Sequence, residues 1–407
     1  MKNTDRRKKS ALLFIFITVV IDVIGLGIII PVTPSLIREL TGGTISDASE
    51  YGGWLMFAYA STQFFFASVL GNLSDRFGRR PVLLLSLLGF AVNYLLIGLA
   101  PSILWLFVGR LIAGVTGASH TVAAAYIADV SPPNKRAQNF GLLGAAFGLG
   151  FIIGPVLGGV LGHYGPRIPF FAAAGLSLLN FLYGYFIVPE SLAKDKRRPF
   201  KWAKANPVGS FRHIRRFPEI GVLVVCIALV NLAAHAVQST WPYYTMERYQ
   251  WNERMVGISL GFIGLLLAIV QAGLLRVIIP RIGSERSVIV GLSLYTISLP
   301  IMAFAFEPWI LYMASIPYVL AGIGGPAIQG IISNRVPATE QGQIQGGLTS
   351  VISLTAVFGP PMMTGLFAVF TGENHPVYFP GAPFLMGGLL AGISVILAVN
   401  HFRVKKH

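Results

Sequence analysis

Asp22 and Arg110 each lie in the middle of a long apolar run, the first within Phe14–Ile30 and the second within Ile103–Val115. The other 15 of the 16 acidic residues fall in tails, loops or ends of predicted helices, and Arg110 is the only basic residue placed inside one. A single charge at bilayer depth costs about 2.5 to 3.5 kcal/mol on insertion scales, so each should face a protein interior or a wet cavity and seek an opposite charge. The simplest arrangement has the two face each other. Burial favours the protonated form of a carboxyl, whereas a nearby guanidinium favours the ionised form. A conformational change that alters either influence would make Asp22 take up a proton on one side of a membrane and release it on the other. In the structural alternative, Arg110 ties helices together through carbonyl oxygens and Asp22 is its silent counterion.

Neutral polar side chains recur at similar depth: Gln63, Asn93, Asn231, Gln238, Gln271 and Gln329, together with His235 and His120. They are able either to bind a solute or to join helices through hydrogen bonds worth about 1 kcal/mol each. Taken together they suggest a partly polar, mostly uncharged cavity, with Trp54, Tyr94, Trp241 and Tyr295 as aromatic candidates for its wall. For His120 a packing role is expected.

These residues need helices to position them. With 54% hydrophobic residues, 12% charged residues and a mean hydropathy of +0.68, the chain cannot cover its apolar surface in water, and its solvent must be lipid. A helix crosses the hydrocarbon core with about 20 mainly apolar residues. Twelve such helices are predicted near 11–36, 51–73, 82–100, 102–127, 138–162, 168–188, 219–241, 255–276, 286–305, 309–332, 341–370 and 380–402. The fifth carries Gly150, Gly154, Gly158 and Gly162 at a spacing of four, with Pro155 inside the series. This small-residue face lets another helix approach closely, and the proline favours a bend. Gly71 to Pro81 reads as a tight loop between the second and third helices, with Asp75 placed to meet a helix N-terminus or a basic side chain.

A repeat organises the chain. At an offset of 205, Arg76 pairs with Arg281, Gly78 with Gly283, Pro132 with Pro337, Gln138 with Gln343, Gly141 with Gly346, Gly154 with Gly359 and Pro155 with Pro360. The expected fold is therefore an all-α membrane protein of two pseudo-symmetric six-helix bundles, 1–188 and 219–407, joined by a hydrophilic linker at 189–218.

The net charge of +15 would suggest nucleic acid in a soluble protein, but its distribution follows membrane orientation instead. Placing the termini and the central linker on one side collects 26 of the 31 basic residues there, while Arg38, Arg167, Arg248 and Arg254 lie opposite. Both termini and the linker are thus expected to be cytoplasmic, facing anionic headgroups, with no base-reading module. The single cysteine, Cys226, lies in an apolar span and offers neither a disulfide framework nor a cysteine-based metal cluster. The first apolar segment is too long for a secretion signal and contains Asp22, so it is expected to be retained. No metal-binding helix, serine elbow or phosphate loop is present, so neither an enzyme nor a cofactor is expected.

Several stretches together resemble the major facilitator superfamily and, within it, the bacterial tetracycline-type drug:proton antiporters. The loop Gly71-Asn72-Leu73-Ser74-Asp75-Arg76-Phe77-Gly78-Arg79-Arg80-Pro81 is similar to the superfamily's signature loop. Arg110 to Ala118 followed by Ala125 to Asp129 resembles the family's fourth helix, and Gly154-Pro155-Val156-Leu157-Gly158-Gly159 its antiporter motif. Pro189-Glu190-Ser191 and Gln341 to Gly346 also fit. The resemblance implies two bundles rocking around a central cavity, with Asp75 and the arginines Arg76, Arg79 and Arg80 forming a cytoplasmic latch in which Asp129 participates. It implies proton import driving export of a lipophilic or amphiphilic compound, with Asp22 and Arg110 matching the family's first-helix acid and fourth-helix arginine, and Gln63 and Gln271 matching its glutamines. Where tetracycline exporters carry acids in the third and ninth helices and a histidine in the eighth, this chain has Asn93, Tyr295 and Leu267. Those changes remove carboxylates suited to a cationic metal chelate. The expected substrates are therefore uncharged, zwitterionic or weakly charged hydrophobic compounds, exported by a monomer. The alternative is an uptake facilitator or proton symporter for a metabolite.

Overall fold

The computed structural model describes residues 2–117, 119–132, 135–200, 216–337, 340–373 and 375–404. Most of the basic linker, including Lys201, Lys204 and Arg212, lies outside the described residues, as do Ala118 and the side chain of His120. Among the described residues the chain is helical, with no strand. Eleven helices among the described residues are long and apolar enough to span a bilayer: α1 Leu12–Thr41, α2 Ile45–Phe77, α3 Arg79–Gly98, α4 Ile103–Val130, α5 Asn139–Gly162, α6 Ile168–Ile187, α7 Pro218–Tyr249, α9 Ser284–Ala303, α10 Pro308–Asn334, α11 Gln341–Thr371 and α12 Ala382–Arg403. The segment between α7 and α9 is the composite α8, with Glu253–Ile269, a π-helical turn at Val270–Leu274 and then Leu275–Ile282.

Several ends differ from expectation, each for a local reason. Helix α2 starts at Ile45 because Thr44 and Asp47 form a reciprocal capping pair: Asp47 N–H donates to Thr44 Oγ1 (3.2 Å) and Thr44 N–H to the Asp47 carboxylate (2.8 Å). The stretch read as a loop from Gly71 to Pro81 is almost wholly helical, since α2 runs to Phe77 and α3 begins at Arg79. Only Gly78 lies between them, at φ 107° and ψ 159°, a conformation that favours glycine. Helix α7 continues to Tyr249 and stops at Gln250, whose left-handed backbone ends it.

The chain divides by contacts into two compact units, one of Met1–Thr41, Ala58–Asn206 and Asn252–Gly264, the other of Gly42–Phe57, Pro207–Trp251 and Leu265–His407. In the first unit α1 packs on α5 and α6, and α3 on α4 and α6. Its core includes Phe14, Ile15, Val19, Leu83, Val122, Tyr126 and Ala146. In the second, α7 packs on α11 and α12, and α9 on α10 and α12, around Ile220, Leu223, Cys226, Leu292, Ile328 and Leu348. Leu104, Leu179, Phe186, Phe306 and Ile396 remain exposed, as expected where the surrounding solvent is hydrocarbon.

The 205-residue repeat reappears in backbone detail. Gly283 has φ 81° and ψ 158°, nearly the conformation of Gly78, and their N–H groups donate to Ile279 and Ser74 carbonyls at 3.0 and 3.1 Å. The turns closed by Ala100 to Ile97 and by Lys135 to Pro132 are matched by Ala305 to Met302 and by Glu340 to Pro337. Helices α4 and α10 are also interrupted at equivalent points, after Thr116 and at Ala321–Ile323. Interrupted helices at corresponding places of two repeats are a pointer to transporter binding sites.

Candidate functional site

Small residues bring α1 and α5 together in the first unit. A Cβ at Gly150 would lie 2.6 Å from Val23, one at Gly154 2.9 Å from Gly27 Cα, and one at Gly158 2.0 Å from the Ile28 carbonyl oxygen. The four-residue spacing therefore serves helix contact, with Pro155 Cδ seated against Gly27. Another face of α5 meets the start of α8, where Gly159 lies against Glu253 and Gly257. The Ser35 hydroxyl of α1 also donates to the Glu253 carboxylate.

This packing surrounds Asp22, which is 8% exposed. Asn180 of α6 donates from Nδ2 to Asp22 Oδ1 (3.3 Å) and to the Thr18 carbonyl oxygen (3.1 Å). Helix α4 approaches α3 and α2 through glycines. A Cβ at Gly109 would meet Asn93 Oδ1 at 2.9 Å, and one at Gly114 would meet Thr62 Oγ1 at 1.8 Å. Arg110 lies between those two contacts. Tyr59 of α2 and Tyr94 of α3 both lie within electrostatic reach of Asp22 and Arg110, which places the four side chains in one neighbourhood. Tyr94 reaches it over Gly25, whose built Cβ would be 3.4 Å from the phenol oxygen. Gln63 donates to Tyr59 Oη (3.1 Å) and to the Gly117 carbonyl oxygen (3.2 Å) at the break in α4. Asn93 is 1% exposed, and its Oδ1 has no hydrogen-bond partner.

The remaining predicted cavity residues belong to the second unit. His235 fills the space left by Gly359, where a Cβ would fall 2.4 Å from the imidazole. Tyr295 meets Tyr318 edge to face, with ring centroids 5.2 Å apart. Gln238 and Gln329 are exposed, and Gln271 is exposed within the π-helical turn. Asn231 donates to the Ile227 carbonyl oxygen of its own helix (2.8 Å).

A second polar cluster surrounds Gly78. Arg79 pairs with Asp75 (2.7 Å) and Asp129 (3.2 Å), and also donates to the Ser74 hydroxyl (2.5 Å). Glu190 accepts from the backbone N–H of Arg79 (2.8 Å) and of Arg80 (3.3 Å), so a carboxylate from beyond α6 caps the N-terminus of α3. Gly78 makes this possible, because a Cβ there would lie 2.1 Å from Glu190 Oε2. Arg80 donates to the Tyr185 carbonyl oxygen (2.6 Å), and Arg76 lies over the Phe77 ring at 5.0 Å. The first linker residues join in: Arg197 pairs with Glu190 (3.8 Å), and Arg198 N–H donates to the Asp75 carbonyl oxygen (3.0 Å). Together they line a cavity of about 540 Å³ with Asp75, Arg79, Asp129, Leu192 and Asp195. The second repeat lacks this chemistry, having Pro280, Ser284 and Asn334 where the first has Asp75, Arg79 and Asp129. Gly71, at the start of the stretch, has open space around it.

The sequence does not single out Tyr59 or Asn180, and it marks Glu190 only as part of the stretch Pro189-Glu190-Ser191, without a role. Asn180 carried a usable signal, an amide within the apolar run Ala172–Tyr183. The cap formed by Glu190 carried none, since its partners are more than 100 residues away.

Residues 15–325 match the family model described as Major Facilitator Superfamily. The chain is 40% identical over 362 residues to the class C tetracycline resistance protein of Escherichia coli, covering 89% of this chain and 91% of the relative. It is 36% identical to the class G tetracycline resistance protein of Vibrio anguillarum over 375 residues, 92% and 95% of the two chains. Its fold superposes on the crystal structure of the nucleoside transporter NupG with a TM-score of 0.76 at 13% identity, covering 98% and 99% of the chains. Together with the duplicated helices and the family-model match, these likenesses show that the chain is a membrane transporter rather than an enzyme, and that it belongs to the Major Facilitator Superfamily, alongside the tetracycline resistance proteins.

Proposed function

We propose that this protein is a proton-coupled secondary transporter that exports small hydrophobic or amphiphilic compounds by alternating access. The observation that carries the proposal is Asp22: a carboxyl 8% exposed in an apolar helix, hydrogen-bonded to Asn180 and sharing its neighbourhood with Arg110. Asp22 carries the proton and Arg110 biases its ionised form. The tetracycline resistance function named for the relatives supports the export direction, whereas neighbours at 13% identity speak only for the fold. Gln63, Asn93, Tyr94, His235, Gln238, Gln271, Tyr295 and Gln329 contact the substrate, and the neutral Asn93 and Tyr295 favour uncharged or zwitterionic compounds over a cationic metal chelate. The cluster around Arg79 acts as a cytoplasmic latch. The basic side of the chain is cytoplasmic, the membrane is the bacterial inner membrane, and the working unit is a monomer.

Purified protein in liposomes with an imposed pH gradient tests the proposal. A thermal-shift screen of antibiotics, dyes and metabolites selects the ligand, with tetracycline measured with and without Mg²⁺. Export against proton influx is expected, with no Mg²⁺ requirement. The variant Asp22→Asn should keep its fold but lose pH-driven transport to the level of empty liposomes. Co-accumulation of ligand with protons would reject export, and normal proton-driven transport by the variant would reject the coupling role of Asp22.

A further inference from the structure

Asn180 is fully buried in α6, and its amide nitrogen spans two acceptors on one face of α1, the Thr18 carbonyl oxygen and Asp22 Oδ1. Because Thr18 and Asp22 are four residues apart, one NH₂ group reaches both with its two hydrogens. The other end of the amide is unused: Asn180 Oδ1 is buried without a hydrogen-bond partner, and so is Thr18 Oγ1. Buried polar atoms are normally satisfied, so two orphans beside an interior carboxyl call for a physical account.

A carboxylate only accepts hydrogen bonds, whereas a carboxylic acid also donates one. A purely donating partner such as a guanidinium serves the first state and leaves the acid O–H of the second without an acceptor. A carboxamide serves both, because a half-turn about its terminal torsion exchanges Nδ2 and Oδ1. We propose that Asn180 is the positioning residue for Asp22, holding its carboxyl in one orientation and following its protonation by rotating its amide. In the ionised state Nδ2 donates to Asp22 Oδ1. In the protonated state the Asp22 O–H donates to Asn180 Oδ1, and the rotated Nδ2 takes the side of the amide that Oδ1 held. This inference rests on the reading of Asp22 as the proton carrier.

The ionisable and charged groups around Asp22 are Arg110 of α4, Tyr59 of α2 and Tyr94 of α3. On α6, Tyr183 packs against Phe14, eight residues before Asp22 on α1, with ring centroids 4.9 Å apart, and α5 carries no ionisable side chain over Asn139–Gly162. Asn180, hydrogen-bonded to Asp22 and itself neutral, is able to change hydrogen-bonding sense with the proton.

The test is a pH-difference infrared titration of the purified full-length protein in liposomes, which needs no substrate. The carboxylic C=O band of Asp22 is identified by its loss in Asp22→Asn. In Asn180→Leu the band should shift in frequency and its titration midpoint should move by about half a unit or more, a threefold change in proton affinity. Asn180→Gln, which keeps the carboxamide, should return the midpoint towards wild type. Should the leucine variant not fold, Asn180→Asp keeps the size and should add a second coupled carboxyl band. If the band is lost in Asp22→Asn but is unmoved in folded Asn180→Leu, or unaccompanied by a second band in Asn180→Asp, the positioning role is overturned while Asp22 keeps its own. If Asp22→Asn leaves the spectrum unchanged, the proton-carrier reading itself fails.

Discussion

A carboxylate can cap a helix from a distance when the residue at the helix entrance has no side chain, and Glu190 does this for α3 across Gly78. Glu190→Ala should cost roughly 1 to 2 kcal/mol, the usual scale for a lost cap, read as earlier unfolding of the purified protein in a denaturing-detergent titration. An unchanged midpoint would show the cap to be idle. Tyr378, in the segment between α11 and α12, donates to Glu247 Oε1 at 2.7 Å. Burial and that carboxylate push its phenol up from near 10 to about 12. The folded state therefore favours the neutral phenol, and the contact stabilises below the unfolded value and is lost as pH rises through the folded one. The difference in melting temperature between wild type and Tyr378→Phe should stay level up to about pH 10 and vanish by about pH 12.

At the scale of elements, glycines decide which helices touch. Gly158 has the Ile28 carbonyl oxygen 2.0 Å from where its Cβ would be, whereas Gly144, on the same helix, has open space. Gly158→Ala should therefore destabilise by about 1 to 3 kcal/mol, as overpacking against backbone does. Gly144→Ala should stay within roughly 0.5 kcal/mol of wild type. Equal effects in the same detergent titration would mean that α1 and α5 do not pack through the glycine face. The helix breaks follow a different rule: Gly78 and Gly283 both need positive φ, yet only Gly78 is also crowded, by Glu190 and Arg197. The two repeats thus share a backbone hinge, and only at the first does a carboxylate from another segment, Glu190, sit against the glycine.

For the whole molecule, basic residues predict sidedness. Cys226 is buried, so a Cys226→Ser background carrying Asn3→Cys, Arg403→Cys or Val377→Cys reports topology cleanly. A membrane-impermeant maleimide added to intact cells should label only the Val377→Cys protein. Labelling at position 3 or 403 from outside would invert the assignment.

The sequence alone determined the solvent, the number and order of the spanning segments, the duplication and the family. These follow from composition, from apolar runs as long as a bilayer is thick, and from spacing along the chain. It also marked Asp22 and Arg110, because an ionisable residue among apolar ones is conspicuous without any structure. Only the tertiary structure decided that Asn180 is the amide touching Asp22, that Gln63 bonds to the break in α4, and that Glu190 caps a helix begun 111 residues earlier. Hydropathy sums single residues along a line, but a hydrogen bond needs two groups at one point in space, and which amide arrives at a carboxyl is set by how glycine-lined helices cross.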